Sequence, residues 1–546
     1  MLSYVPYERI VILALDSVCW DVLLPLAQDG TMPALATYLR RANFGVLNST
    51  IPPHTAAAWT TFLTGKDPGQ HGVIDFVRFD PEKHKFTFHD SSVQRSENFL
   101  TRLSKADVSC GSIFLPRSYP PYPLKNGYIV SGFETPNTQV AFTNPEELRD
   151  DILGVSPQMH FNFEDDWEDM KDDDGFERNI DHAMAAVDLL ERVAVHFQRE
   201  RPTAVQIAYL QATDILFHKA WKWCLPEALK DNRRRRELIQ KFFRRVDQMI
   251  NRVFGLHSSS SSSQRFRPGG DARLLRLIVS DHGHGRSAGR VFINTLLQKW
   301  GFLTPLGHLK RASKRLKLLT TFDAAERKAR SRELPLEWSK TRAYLAHVGI
   351  YGFVYLNLQG REPFGIVKES DFEKVRDQII KCFLDEKIPG TNDPLFIAVH
   401  KGEEIYDRKE ELNLPDLIVV PADGFYPRKK LARGSGIRVT PNSIGGVHRV
   451  GGVYAFEGPN ITASNGLSQP ANIADIAPTI LAALGQSIPA GMTGKPMLHI
   501  FANPPSVALA KEKPVHESAR LSDAPVYSKE EEQAIEKRLS DLGYLE

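Results

Sequence analysis

Short runs of consecutive apolar and β-branched residues recur along the chain, at Arg9 to Leu15, Ser109 to Leu115, Tyr128 to Phe133, Ala204 to Leu210, Leu274 to Ser280 and Leu417 to Val420. Segments with helical spacing of apolar positions lie between them. Continuous apolar runs suit strands covered on both faces, and the intervening helices supply the covers. The predicted fold class is therefore α/β, a central, mainly parallel sheet flanked by helices. Polar residues follow several of these strands: Asp16 after the first, Asp214 after the fourth, Asp281 and His282 after the fifth. Open α/β sheets bind ligands beyond the carboxyl ends of their strands, so these residues are expected to share one site.

Other segments break this rhythm. The stretch FNFEDDWEDMKDDDGFERN, Phe161 to Asn179, reads as a solvated loop whose like charges resist packing, in preference to a metal-binding segment, since it lacks regular Ca²⁺-loop spacing. The serine run Ser258 to Ser263 reads as a flexible linker. Between about Gly301 and Pro335 the chain turns basic, with Lys310, Arg311, Lys314, Arg315, Lys317, Arg327, Lys328 and Arg330 in a largely helical pattern. No stacking aromatics are interleaved there, so a solvated helix face is favoured over a nucleic-acid platform, and Arg233 to Arg236 are read the same way. After Pro504 a polar tail leads to an amphipathic helix, Ser528 to Leu542, expected to dock on the core.

Composition narrows the class. The 546 residues, 42% hydrophobic and 25% charged, are globular and imply one large domain with a substantial insertion, or two domains. A net charge of +3 is too small for this length to imply wholesale binding to nucleic acid or anionic membrane, and no stable nucleic-acid partner is expected. The four cysteines, Cys19, Cys110, Cys224 and Cys382, are too scattered for a zinc ribbon or a disulfide scaffold and read as reduced thiols. No segment has the roughly 20 apolar residues of a membrane span, and the start lacks the pattern of a secretory signal. The expected location is cytoplasmic.

Four motifs carry chemistry. In IPPHTAAAWTTFLTG, Ile51 to Gly65, two prolines keep the chain extended, Thr55 is placed to cap the helix that follows, and Gly65 to end it. A threonine there is explained by capping alone, or by anion binding at the helix N-terminus. In YLQATDILFHKAW, Asp214 and His218 stand at i and i+4 on one helix face, as an ion pair or as two ligands of one divalent cation. In LIVSDHGHG a buried strand delivers Asp281 and His282 into a turn where Gly283 and Gly285 permit a tight bend or close ligand approach. His284 is read as a histidine supporting that turn in preference to another ligand. In GGVHRVGGVYAFEGP, His448 stands between glycine pairs before an apolar strand. As a set, Asp16, Thr55, Asp281 and His282 can surround one cation, and Asp214, His218 and His448 another. Two such cations would polarise a phosphoryl group and activate the Thr55 hydroxyl for in-line displacement.

These pieces in this order resemble the alkaline phosphatase superfamily, most closely its type I phosphodiesterase and nucleotide pyrophosphatase branch. The resemblance covers about Arg9 to Pro496 and includes GKDPGQHGV, Gly65 to Val73, and DIAPTILAALG, Asp475 to Gly485. It implies an alkaline phosphatase-like fold with an inserted cap and a two-metal phosphohydrolase, most simply a phosphodiesterase, acting on a small phosphoester. By the resemblance, Thr55 is the nucleophile and also a metal ligand; Asp16, Asp281 and His282 complete one site, and Asp214, His218 and His448 form the other. The implied cofactors are two divalent ions, usually Zn²⁺, with Mn²⁺ also compatible with the mixed donors.

One position departs from the branch. Its nucleotide-cleaving members carry an asparagine shortly after the His-Gly pair, contacting a phosphoryl oxygen, whereas Phe76 stands here, after Asp75. Nucleotide specificity is therefore not carried over. The Ala56 N–H or His54 are alternative contacts, and His54 is equally a loop residue. HTAAA does not provide the Cys-x-Pro-x-Arg signature of sulfatases. The expected organisation is a catalytic core over 1–285, an inserted cap or substrate region over 286–440, core again over 441–503, and a C-terminal tail and helix over 504–546. Within the insertion Tyr344, His347, Tyr351 and Arg361 read as core aromatics or surface charges before substrate contacts. The alternative activities are a phosphonate or phosphomonoester hydrolase or a phosphotransferase on the same metals, and, from another class, a catalytically silent binding protein.

Overall fold

A computed structural model describes residues 4–88, 90–91, 96–161, 172–225, 232–256, 273–307, 335–348, 350–407, 414–510 and 527–541. The serine run, the residues 162–171 of the acidic stretch and the basic residues from Lys310 to Arg330 lie outside them. The chain forms two compact units. The first comprises Met1–Phe76, His89–Arg286 and Ile444–Gly543; the second comprises Val77–Phe88, Ser287–Ser443 and Tyr544–Glu546.

The first unit is built on a nine-stranded sheet. Its strands are β1 (Arg9–Leu15), β2 (Asn43–Asn48), β3 (Cys110–Ile113), β4 (Tyr128–Val130), β5 (Thr143–Asn144), β6 (Val205–Leu210), β7 (Leu274–Val279), β8 (Gly451–Glu457) and β9 (Ser468–Asn472), in the spatial order β9-β2-β8-β7-β1-β6-β3-β4-β5. The pairs β1–β6, β1–β7, β3–β6, β3–β4 and β2–β9 are parallel. β8 runs antiparallel to both neighbours, and β5 antiparallel to β4. The α/β class is borne out. Ile10 to Leu15 are all buried, as the unbroken apolar run of a central strand requires. Leu15 pairs with Leu210 and Ala14 with Val279, so the chain leaves β1, β6 and β7 at one level of one edge. Parallel pairing in this register is what gathers the polar residues that follow.

Helices Asp173–Glu200 and Arg233–Phe254 pack together on this unit. The acidic stretch is only partly a loop candidate: from Asp173 it is helix, with Asp172 capping the Gly175 N–H at 2.7 Å. Acidic residues are favourable in a first turn, where they face the positive end of the helix dipole. Of the basic cluster, Arg233 and Arg234 are exposed, as a solvated face requires, whereas Arg235 is buried, and the cluster is also paired. Arg234 pairs with Asp174 and Glu177, Arg235 with Asp173, and farther along Arg245 bridges Asp188 and Glu191. Two oppositely charged segments distant in sequence neutralise each other. The C-terminal helix, Lys529–Asp541, docks on the same unit: Arg538 donates to the carbonyls of Phe133, Thr135 and Pro136. Among the described residues, no helix is long and apolar enough to cross a membrane.

The second unit contains a four-stranded antiparallel sheet of Ala343–Val348, Gly352–Leu356, Leu417–Pro421 and Phe396–Lys401. The sixth apolar run, from Leu417, therefore belongs to this sheet and not to the parallel one; an apolar run reports burial on both faces, not the partner strand. Tyr344 is buried, and Arg361 is clasped by Asp416 at 2.8 and 2.6 Å and by Glu362. These two residues serve the interior of the unit.

Arg276 on β7 and Glu457 on β8 face each other, buried, with Nη1 donating to Oε2 at 2.8 Å while Nε donates to the Phe254 carbonyl. Arg276→Met should lower stability by about 2 kcal/mol, less than the ~3–5 kcal/mol of a fully isolated buried pair, because Arg41 still lies 3.2 Å from Glu457. A shift in urea midpoint without a change in slope checks it.

Candidate active site and metal centre

Asp16 follows β1 directly, its N–H donating to the Leu210 carbonyl at 3.0 Å. Its carboxylate accepts from the Tyr209 hydroxyl on β6, and its carbonyl accepts from Thr213 Oγ1 at 2.6 Å. Asp281 and His282 follow β7 in the same way. Asp16, Asp281 and His282 offer donor atoms all within 4.8 Å of one another, and all three side chains are buried. His282 Nε2 lies 3.2 Å from Asp281 Oδ2, 3.6 Å from Asp16 Oδ1 and 3.2 Å from Thr55 Oγ1. Thr55 thus reaches this cluster from the end of the helix Thr55–Thr64, whose residues are all buried.

A second cluster joins Asp214, His218, His284 and His448, again within 4.8 Å. Asp214 and His218 come from the helix Ala212–Cys224, where the spacing of four brings His218 Nε2 to 3.4 Å from Asp214 Oδ1. His448 Nε2 lies 3.3 Å from the same oxygen and 2.8 Å from His218 Nε2. A two-stranded antiparallel ribbon, Gly283–Arg286 with Gly446–Arg449, pairs His284 with His448 in register. The two clusters touch through the rings of His282 and His448, stacked 3.7 Å apart.

All seven residues expected at the site are therefore brought together, in the two groups expected. Two features differ. His284, read from sequence as a supporting histidine, has a ring nitrogen within reach of the second group. Ser17 was missed altogether: its hydroxyl lies 2.7 Å from Asp214 Oδ1, 3.1 Å from His282 Nδ1 and 2.9 Å from His284 Nδ1. Its only signal in the sequence is that it follows Asp16, and serine after a strand ordinarily means a turn.

The helix start also differs from expectation. The N-cap is His54, whose Nδ1 accepts from the Ala56 N–H at 3.3 Å, so Thr55 is the first helical residue and does not cap. His54 Nε2 lies 3.3 Å from the buried Asp75 Oδ2, and Phe76 packs edge-on against the His54 ring. The Ala56 N–H and His54, the alternatives offered for a phosphoryl contact, thus bond to each other. Gly65 ends the helix at φ 65°, as expected. Gly283 permits a close approach to backbone: a Cβ there would lie 2.0 Å from the Gly451 carbonyl oxygen.

The donors suit divalent cations. His282 Nδ1 lies 3.1 Å from the Gly283 carbonyl and His448 Nδ1 lies 3.1 Å from the Pro53 carbonyl. A carbonyl only accepts, so each Nδ1 carries the proton and each Nε2 presents a lone pair to its cluster. Asp16 Oδ1 and Asp281 Oδ2 are buried and make no hydrogen bond among the described residues. Burial, with Asp281 and Asp214 nearby, pushes the Asp16 carboxyl well above its usual range, and burial with Asp214 pushes Asp281 up to about 7. Burial opposes ionisation of Asp214 too, but His218, His448 and His284 hold it well below the usual range. Burial lowers His218 to about 4 and takes His282 and His284 well below their ordinary value. Neutral imidazoles and crowded carboxylates are what a cation relieves.

The model of the type I phosphodiesterase/nucleotide pyrophosphatase family matches residues 10–448, which include every residue of both clusters. The chain belongs to this family. Its members are divalent-metal-dependent phosphoric ester hydrolases within the alkaline phosphatase superfamily. No curated protein sequence matches the chain. Among solved structures, murine ectonucleotide pyrophosphatase/phosphodiesterase 5 is similar at 13% identity and TM-score 0.50, covering 91% of this chain and 100% of its own. Its human counterpart gives 12%, 0.50, 91% and 100%. Phosphonoacetate hydrolase from Sinorhizobium meliloti 1021, in complex with phosphonoacetate, gives 14%, 0.50, 88% and 96%. At these identities the likeness establishes the shared alkaline phosphatase-like fold.

In this family member the Thr55 helix is further pinned by GKDPGQHGV. His71 Nδ1 accepts from the Val73 N–H at 3.2 Å, so Nε2 carries the proton and donates to Thr61 Oγ1 at 2.9 Å. Burial, then Arg117 and Lys66, depress His71 to about 3. Below about pH 6.5 the unfolded chain takes up a proton that folded His71 refuses, so its contribution is intact above that pH and is lost as pH falls towards 3. The melting temperature should drop over this window in the wild type and drop less steeply in His71→Gln, as thermal melts at stepped pH would show.

Proposed function

We propose that the chain is a two-cation phosphodiesterase acting through a phosphoryl-threonine at Thr55. The observation that carries this reading is the position of Thr55 Oγ1, 3.2 Å from His282 Nε2 at the edge of the Asp16–Asp281–His282 cluster, with the Asp214–His218–His448 cluster adjoining it. Asp16, Thr55, Asp281 and His282 would hold one ion, and Asp214, His218 and His448 the other. Divalent ions, when bound, supply positive charge that acidifies the threonine hydroxyl and offsets charge on the transferring phosphoryl group. Zn²⁺ suits the imidazole-rich set, and Mn²⁺ the carboxylates.

Thr55 Oγ1 loses its proton, bonds to phosphorus and displaces the leaving alkoxide, which takes up a proton. Water then attacks phosphorus, the bond to Oγ1 breaks, and Thr55 recovers its hydroxyl. Because Thr55 is the first helical residue, the positive end of the helix dipole would face the phosphoryl oxygens of a bound substrate. His54 and Asp75 fix that first turn, and Tyr209 and Thr213 fix Asp16. Substrate choice within phosphoesters is assigned to the segment 286–440, the inserted region.

Thr55→Ala should lower diester hydrolysis by about a thousandfold or more while leaving bound metal and melting temperature near wild type. Metal analysis beside steady-state assays on a diester, a monoester and a phosphonate checks it. Full activity in the variant refutes the nucleophile, and faster turnover of the monoester or phosphonate moves the reading to those hydrolases. Chelation should abolish turnover and Zn²⁺ or Mn²⁺ restore it; bound metal with no turnover on any of the three favours a binding protein.

A further inference from the structure

Ser17 stands between the two clusters in a conformation that serine rarely adopts. Its φ is 67°, in the left-handed region that glycine enters without steric cost. A side chain retained at such a position needs a use that offsets the strain, and an observed outlier of this kind points to function. The surroundings supply one. Asp214 Oδ1 only accepts, so the Ser17 hydroxyl donates to it, at 2.7 Å. The same oxygen then accepts, with His284 Nδ1 at 2.9 Å and His282 Nδ1 at 3.1 Å. From the other side, the Ser17 main-chain N–H donates to Asp281 Oδ1 at 3.3 Å.

One buried residue therefore holds a carboxylate of each cluster. Asp281, gripped at Oδ1, turns Oδ2 towards His282 Nε2 at 3.2 Å. Asp214, gripped at Oδ1, keeps that oxygen within 3.4 Å of both His218 and His448. The His284 ring that steadies Ser17 is itself seated on a glycine, since a Cβ at Gly446 would come within 2.4 Å of its Cδ2. Hydrogen bonds to ligating carboxylates fix their rotamers and set how tightly a metal is held.

We propose that Ser17 is a positioning residue that orients Asp214 and Asp281 together and so couples the two cation sites. The proposal rests on the two-cation reading above. Without the hydroxyl, Asp214 loses the donor that fixes it, while the N–H to Asp281 remains. The loss should therefore fall mainly on the cation held by Asp214, His218 and His448.

Full-length wild type, Ser17→Gly and Ser17→Ala, stripped by chelator, are titrated with Zn²⁺ by calorimetry and with Co²⁺ by visible absorption. Wild type should take up two equivalents. Both variants should keep one near wild-type affinity and bind the other about tenfold or more weakly, with an altered Co²⁺ spectrum for that equivalent. Glycine relaxes the backbone and alanine does not, so a defect in Ser17→Ala alone would trace to strain and overturn the proposal. Unchanged affinity and spectrum in both variants would also overturn it, leaving the two-cation reading in place. Wild type that binds no pair of cations would overturn that reading and this one together.

Discussion

Two carboxylates, Asp16 and Asp281, are buried with donor atoms within 4.8 Å of each other, a third, Asp214, is buried near enough to raise both, and the arrangement of the site follows from that crowding. Left alone, buried like charges repel and give up their ionisation, as the upward shifts at Asp16 and Asp281 record. Positive charge must be brought to them. Four histidines surround them, but burial pushes the pKa of His218 down to about 4 and those of His282 and His284 well below the ordinary value, so near pH 7 these three contribute lone pairs and not charge. A donor set of anionic oxygens and neutral nitrogens is satisfied by divalent cations, in keeping with a family of divalent-metal-dependent hydrolases.

Holding such a set in place for cations requires a rigid frame. Three adjacent parallel strands end at one level and fix the backbone before Asp16, Asp214 and Asp281. The ribbon from Gly283 and Gly446 adds the imidazoles of His284 and His448, and it closes only because glycine lets its backbone approach Gly451 and the His284 ring. The Thr55 helix is tied twice, by His54 to Asp75 at its start and by His71 to Thr61 within it. Each tie is buried, so the hydroxyl at the helix start has little freedom to leave the clusters.

Charge is handled differently away from the site. Along helices Asp173–Glu200 and Arg233–Phe254 the acidic and basic runs pair across the interface, partly exposed, where screening keeps each pair weak. In the second unit the half-buried Arg361 is clasped by the buried Asp416 and Glu362. Three uses of the same residue types are thus told apart by burial and by partners.

The amino-acid sequence by itself determined the α/β class and the five buried strands of the parallel sheet, and it marked Asp16, Asp281 and His282 behind two of them, while Thr55, Asp214, His218 and His448 joined the expected set through their motifs and the family resemblance. Apolar runs report burial directly, and a polar residue that ends such a run is visible as a break in the pattern. Other features were decided by the tertiary structure. The run at Leu417 reports burial but not its partner strands, which turned out antiparallel. The acidic and basic segments look solvated until folding brings opposite charges together. His54 displaced Thr55 as the cap because Asp75, twenty-one positions on, holds its ring. Ser17 and His284 are short-range commonplaces in the sequence, a serine after a strand and a histidine in a turn. Their contacts span about 200 to 270 residues of chain, and only the closing of the sheet brings such distant atoms within hydrogen-bonding reach.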